Sequence, residues 1–154
     1  MKALATFGNY RVYKARLFDA SKIHRLEKEI FPQDVYSVIE IVLLLIFPRT
    51  RNYKLIDSDG NVAGFFSGSL GIFGRPAWII TLGIGLAHQR RGLGRSLLEW
   101  GETKLNAKRV RLTVRGGNGT AIKLYEQTGY IVVERRRRYY LDGEDGLEME
   151  KCLT

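Results

Sequence analysis

Residues 78–84 read Trp-Ile-Ile-Thr-Leu-Gly-Ile, a short apolar run, and residues 93–104 carry Leu93, Leu97, Leu98 and Trp100 among Arg95, Glu99, Glu102 and Lys104. The first pattern predicts a buried strand and the second a helix with one apolar face. Between them stands Gln89-Arg90-Arg91-Gly92-Leu93-Gly94. This junction constrains the fold strongly, because a buried strand must end there and a helix must begin. The leading N–H groups of that helix have no partners within it. The helix dipole favours negative charge at the same place, and glycine lets an anion approach the backbone, so the turn is a cradle suited to phosphate. Two glycines in six residues are weak evidence taken alone.

The rest of the chain alternates strands and helices. Residues 11–16 alternate as a strand does, and Asp19 or Ser21 can cap a helix carrying Ile23, Leu26, Glu27 and Ile30. Phe31-Pro32-Gln33-Asp34 breaks it, because proline disfavours helical geometry in the residue before it. A second helix is expected over residues 35–47, stopped by Pro48. Residues 52–57 and 62–70 read as strands joined by Ser58-Asp59-Gly60, a hairpin signal, with residues 76–85 as the third strand of a meander. After the glycine turn come a helix over 92–106, a strand over 109–115 and a helix over 118–128. Gly129 suits the left-handed position that follows a helix end. Strands over 130–140 and 147–153 close the chain. The order βααβββαβαββ predicts an α/β (α+β) fold with helices on both faces of a mixed sheet.

At 154 residues, without repeats or low-complexity tracts, residues 1–154 are expected to form a single domain. The longest apolar stretch, residues 38–47, contains Glu40 and falls far short of the roughly 20 residues that span a bilayer. The first residues lack the apolar core of a leader peptide. A cytoplasmic protein without a membrane partner is expected. Cys152 stands alone, and His24 and His88 are far apart, so neither a disulfide nor a metal site is expected. Lys and Arg number 25 against 16 Asp and Glu, a net charge of +9. That charge fits a polyanionic ligand, a target on the ribosome or nucleic acid, and no nucleic-acid-binding motif accompanies it. Arg135 to Arg138 on a strand divide between its two sides.

Gln-x-x-Gly-x-Gly after a strand resembles the pyrophosphate-binding segment of the GNAT (GCN5-related) acetyltransferases. Asn118-Gly119-Thr120-Ala121-Ile122-Lys123-Leu124-Tyr125, followed by Gly129-Tyr130, is similar to the family's later helix beside the cofactor. Arg138-Tyr139-Tyr140-Leu141-Asp142-Gly143-Glu144-Asp145-Gly146-Leu147-Glu148-Met149 resembles the closing segment of the RimI-like protein N-terminal acetyltransferases. The resemblance covers most of the chain, and its cofactor half is the more specific. It implies a mostly antiparallel central sheet, acetyl-CoA as co-substrate and an amine as acceptor. In RimI-like enzymes that amine is the α-amine of a protein such as a ribosomal protein.

By this resemblance, the cofactor is held by the backbone and charges of Gln89, Arg90, Arg91, Gly92, Leu93, Gly94 and Arg95. The strand residues Leu82, Gly83 and Ile84 would run along its pantetheine arm, with Asn118 and Tyr125 also in contact. Tyr125 takes the place of the tyrosine that protonates the departing thiolate, which a phenol titrating near 10 can do. Asn118 also suits a helix N-cap. Phe31 and Pro32 match one wall of the family's peptide slot, and Tyr139 and Tyr140 the other. Asp34, Arg136 and Arg138 are candidate partners for substrate charges. One position departs from the family: Thr113 stands where relatives carry a glutamate or histidine as general base. Either an α-amine, with a pKa near 8, needs no strong base, or Glu27, Glu40 or His88 takes that role. A small-amine acetyltransferase and a non-catalytic acyl-CoA-binding module are the competing expectations.

Overall fold

Phe65 and Phe66 are adjacent in sequence and both buried, which requires apolar layers on the two faces of the strand that carries them. The computed structural model describes residues 1–153 and has this arrangement. Its strands are β1 (Ala5–Phe7), β2 (Tyr10–Lys14), β3 (Thr50–Ile56), β4 (Val62–Ser69), β5 (Ala77–Ile84), β6 (Arg109–Arg115), β7 (Ile131–Arg136) and β8 (Gly146–Cys152). They form one sheet in the order β1-β2-β3-β4-β5-β6-β8-β7. Every neighbouring pair is antiparallel except β5 and β6, which run parallel. Helices α1 (Ala20–Ile30) and α2 (Val38–Ile46) cover one face, where Ile23, Leu26 and Ile41 pack with Phe65. Helices α3 (Leu93–Glu102) and α4 (Gly119–Gln127) cover the other, where Leu93, Leu97, Leu98 and Tyr125 share a core with Phe66.

The expected element order holds, with one addition and several shifted boundaries. The extra strand, β1, pairs with β2 through three residues. Helix α2 starts at Val38 rather than residue 35, because Ser37 and Glu40 cap it reciprocally: the Ser37 N–H donates to Glu40 Oε2 at 2.7 Å and the Glu40 N–H to Ser37 Oγ at 3.2 Å. Strand β7 ends at Arg136, and Arg138 adopts φ +50° in the turn that follows. Only Arg135 and Arg136 of the arginine run therefore lie on the strand. Gly60 at φ +85° and Gly129 at φ +104° occupy the turn and helix-end positions expected of them.

The departure that matters for function lies between β5 and β6. Their parallel pairing is confined to Ala77 with Val110 and Trp78 with Arg111. Directly afterwards the β4–β5 register slips: Ser67 faces Thr81 and Gly68 faces Ile79, so Ile80 is an extra residue on β5. A bulge of this kind bends its strand and raises the local twist. Strand β6 stays fully paired with β8 from Arg109 to Arg115. The sheet is therefore open between β5 and β6 beyond Trp78.

Asp19 stands at the start of α1 without capping it. Its carboxylate instead accepts Lys54 Nζ at 2.7 and 2.9 Å and the Arg16 N–H at 2.8 Å, with both side chains of the ion pair buried. This pair joins the entry to α1 to the centre of β3. Lys54→Met strands a buried carboxylate and is expected to lower stability by about 3–5 kcal/mol in urea unfolding. The double variant Asp19→Asn/Lys54→Met is expected to regain much of that loss.

Candidate active site

Alternation along β5 decides what the open slot contains. Ile79, before the bulge, packs in the core with Phe66, whereas Thr81 and Gly83 beyond it point to the α1 side, and a Cβ on Gly83 would lie 2.8 Å from Ile30 and 3.1 Å from Phe31. Glycine there lets the end of α1 press against the strand. Thr81, the one hydroxyl in the apolar run 78–84, donates from Oγ1 to Glu27 Oε1 at 2.7 Å. Glu27 is 2% exposed, and its Oε2 is buried without a hydrogen-bond partner among the described residues. Burial pushes its carboxyl above the ordinary carboxylate range, while the Thr81 bond and the nearby His24 pull it down.

A cavity of about 380 Å³ occupies the slot. Glu27 and Thr81 line it from one side, and Leu112, Thr113 and Val114 of β6 from the other. Asn118, Ala121 and Tyr125 line it from α4. Phe31 and Tyr36 come from the α1–α2 loop, Tyr139 and Tyr140 from the β7–β8 loop. Tyr125 is buried, with its ring edge-on to Tyr130 at 5.5 Å. Burial, with Tyr140 adding, pushes its phenol up to about 12, so it stays protonated through the neutral range. Tyr130 is held in turn, donating to Glu102 Oε1 at 2.7 Å, while Lys151 donates to Glu102 Oε2 at 2.8 Å.

At the end of β5 the chain makes a short turn over Leu86–His88 and enters α3 at Leu93. Gly92 precedes the helix at φ +75°, and its carbonyl accepts the Ser96 N–H at 3.0 Å. The N–H groups of residues 93–95 therefore have no acceptor within the helix. Gly92 offers no side chain to cap them, and a Cβ built on it meets nothing within 4 Å. Arg90 is also left-handed, at φ +61°. Unpaired backbone donors at the dipole's positive end, with no side chain over them, fit a pyrophosphate.

The sequence model of the Acetyltransferase (GNAT) family matches residues 20–130. The chain belongs to this family. It is an acyltransferase, with acetyl-CoA as co-substrate. It is 27% identical over 158 residues to an N-alpha-acetyltransferase of Sulfurisphaera tokodaii, covering 94% of this chain and 93% of that one. It is 39% identical over 72 residues to the N-alpha-acetyltransferase RimI of Mycobacterium tuberculosis, or 46% of each chain. Its structure is similar to the ribosomal-protein-S18-alanine N-acetyltransferase from Escherichia coli, with TM-score 0.84, 26% identity and 94% of each chain covered.

Within this GNAT fold the expected site residues divide into groups. Gly92, Leu93, Gly94 and Arg95 form the start of α3, and Arg90 leads into it. Leu82, Gly83 and Ile84 pair with β4 on one side and face the open slot on the other. Gln89 spends its side chain on the chain itself, donating to the Ile84 carbonyl at 2.9 Å and so bracing the turn. Arg91 reaches back to Tyr10 Oη at 3.1 Å. Asn118 caps α4, its Oδ1 accepting the Ala121 N–H at 3.2 Å. Phe31, Tyr139 and Tyr140 line the cavity, whereas Pro32 is exposed beside it.

The candidate bases are also sorted. Glu40 is exposed and engaged in capping α2, and His88 hydrogen-bonds Tyr10 on the far side of the turn. Only Glu27 of the three reaches the slot. Asp34 and Arg136, suggested above as partners for substrate, are paired within the protein, with Arg115 and Glu148 respectively. Thr81, Tyr36 and Arg115 at the slot had no role in the sequence reading. The lone hydroxyl within an apolar strand was the available signal for Thr81.

Gly94→Asp tests the cradle. A Cβ there makes ordinary contacts with Leu124 at 3.7 Å and Ile84 at 3.8 Å, so the fold tolerates it. The added carboxylate should weaken CoA binding by at least roughly 100-fold, as several kcal/mol of like-charge repulsion implies. Calorimetric titration with CoA measures the loss, and thermal unfolding close to that of the parent shows the fold intact.

Proposed function

We propose that the protein acetylates the N-terminal α-amine of a protein or peptide, with a ribosomal protein as one candidate acceptor. The observation that carries this reading is Glu27, a buried carboxylate with one free oxygen, in a slot walled by two aromatic loops. The S18-alanine acetyltransferase and the N-alpha-acetyltransferases among its relatives support an α-amine acceptor.

Acetyl-CoA supplies an acetyl carbon activated as a thioester. The open edge of β5 at Leu82, Gly83 and Ile84 and the start of α3 hold it in place. Glu27 takes a proton from the acceptor ammonium, directly or through one water, at the Oε2 that has no partner among the described residues. An α-amine titrates near 8, so a carboxylate raised above its usual range is closer in basicity to its task than an ordinary one. The neutral nitrogen attacks the carbonyl carbon, the carbon–sulfur bond breaks with sulfur leaving as thiolate, and the second proton that the nitrogen then sheds goes to that thiolate, giving an amide and the CoA thiol.

Tyr125 donates a hydrogen bond to the sulfur as negative charge grows on it. In water a thiol titrates near 8.5, well below this phenol, so outright proton donation there is uphill. Burial raises the thiolate's basicity as well, which narrows the gap inside the slot. Thr113 contributes a hydroxyl that can orient a water and has no useful basicity.

A degenerate peptide library with acetyl-CoA is the direct test: CoA release that depends on a free peptide N-terminus supports the reading. Release only with small amines supports a small-amine acetyltransferase, and binding without turnover a non-catalytic module. Tyr125→Phe is expected to lower kcat by roughly 100-fold while CoA affinity stays near the parent value.

The wild-type pH–rate profile is expected to fall on the acid side, because protonating Glu27 removes the base. Its inflection should lie above the ordinary carboxylate range, as the raised pKa requires. In Glu27→Gln that inflection should vanish and the remaining rate should follow the free-amine fraction, bending near 8 instead. Persistence of the lower inflection in that variant would place the base elsewhere.

A further inference from the structure

The two walls of the slot come from separate parts of the chain, residues 31–36 and residues 137–145. One side chain grips both. Arg115 lies at the end of β6, where the sheet is already open. Its Nε and Nη2 donate to the two oxygens of Asp34 at 2.6 and 2.7 Å. Its Nη1 donates to Asp142 at 2.8 Å and Glu144 at 3.0 Å. The guanidinium also stacks 4.1 Å from the centre of the Tyr140 ring. A planar fork used in this way fixes direction as well as distance.

The Arg115 side chain is only 13% exposed, so the contact is not an ordinary solvated surface pair. The hairpin side is itself braced: the Gly117 N–H donates to Glu144 at 3.1 Å and the Glu144 N–H to Asp142 at 3.1 Å. Three carboxylates converge on a single guanidinium. The cluster itself carries more negative than positive charge, with Arg137 and Arg138 on the same wall segment beside it.

We infer that Arg115 is a positioning residue for the acceptor, a latch that holds the two walls at one separation and thereby sets how tightly the acceptor is bound. The inference rests on the reading of this slot as the acceptor site. Arg115 exchanges no proton in the reaction. Its effect passes through Phe31 and Tyr36 on one wall and Tyr139 and Tyr140 on the other. Lysine keeps the charge at this position but cannot make the fork.

Arg115→Gln and Arg115→Lys, assayed with an amine that the wild type acetylates, should raise the KM for that acceptor roughly 10- to 100-fold, the penalty of a displaced substrate. The kcat should change only a few-fold, and CoA affinity by calorimetry should be unchanged. Asp34→Asn should act in the same direction, with the double variant Asp34→Asn/Arg115→Gln little worse than the poorer single one. Should Arg115→Gln fail to fold, Asp142→Asn/Glu144→Gln takes its place with the same expectation. Acceptor KM at the wild-type value, or a loss confined to kcat, overturns the inference.

A second measurement needs no acetyl transfer. Amide hydrogen exchange in Arg115→Gln should quicken in residues 31–36 and 139–145 together, with β3 and β4 unaffected. Unchanged protection in either wall overturns the latch even if the acceptor proves to be a small amine. Loosened walls in a protein without peptide turnover would instead count against the N-terminal reading alone.

Discussion

A parallel sheet bond made for two residues and then abandoned is the constraint on which this molecule turns. Continued pairing of β5 and β6 past Trp78 would fill the sheet and leave no slot. The extra residue at Ile80 bends β5 away while β6 remains bonded to β8. Backbone groups on the two facing edges then lose the partners that a sheet supplies, and buried groups of that kind carry a penalty of about 1–3 kcal/mol each when unmet. A ligand with amides along its length removes that penalty, which is how an opened sheet becomes a binding site. The cohesion lost at the gap is recovered around it, through the helices on both faces and through Arg115 across its mouth.

The buried acids show how differently four carboxylates are treated. Asp19 meets Lys54, Glu102 meets Lys151 and Tyr130, and Glu148 meets both Arg111 and Arg136. Each of these three is neutralised by a cation. Among the described residues Glu27 receives only a threonine hydroxyl, with a histidine nearby, and keeps one oxygen without a partner. A charged group buried on those terms is costly unless something else shares its environment. On the proposed reading, a cationic acceptor in the open slot would bring both the missing charge and the proton to be moved.

Local pattern carried most of the architecture. The alternation in β5, the helical spacing of Leu93, Leu97 and Leu98, and the turn residues Gly60 and Gly129 each act over a few residues, and each was legible in the chain. Helix α2 starts later than the proline break before it suggests, because the reciprocal Ser37–Glu40 cap sets its first turn. Strand β1 is only three residues long, too brief to leave a periodic signal. The cradle at Gly92 could be read because its parts are contiguous.

The slot was legible only in pieces. Thr81 and Glu27 are 54 residues apart, and Arg115 and Asp34 are 81 apart. No window of sequence contains either pair. Asp34 looked available to a substrate for the same reason, since its partner enters from the far end of another strand. Glu27 stood among three candidate bases until the fold brought one of them to the slot and gave another, Glu40, a capping role.

The sheet also has to stop somewhere, and its two margins do so by different means. On one side β1 offers three residues, too few to seed another strand. On the other, β7 is longer and carries exposed Ile131, Val132 and Val133, an apolar row that invites a neighbour. Its register slips between Val132 and Glu134, and Glu134, Arg135 and Arg136 follow at once. Irregular pairing and crowded charge make a poor template for edge-to-edge growth. The two arginines of the run that lie on β7 thereby have a place in the fold unrelated to any ligand, as charge on an edge that further strands pair with poorly.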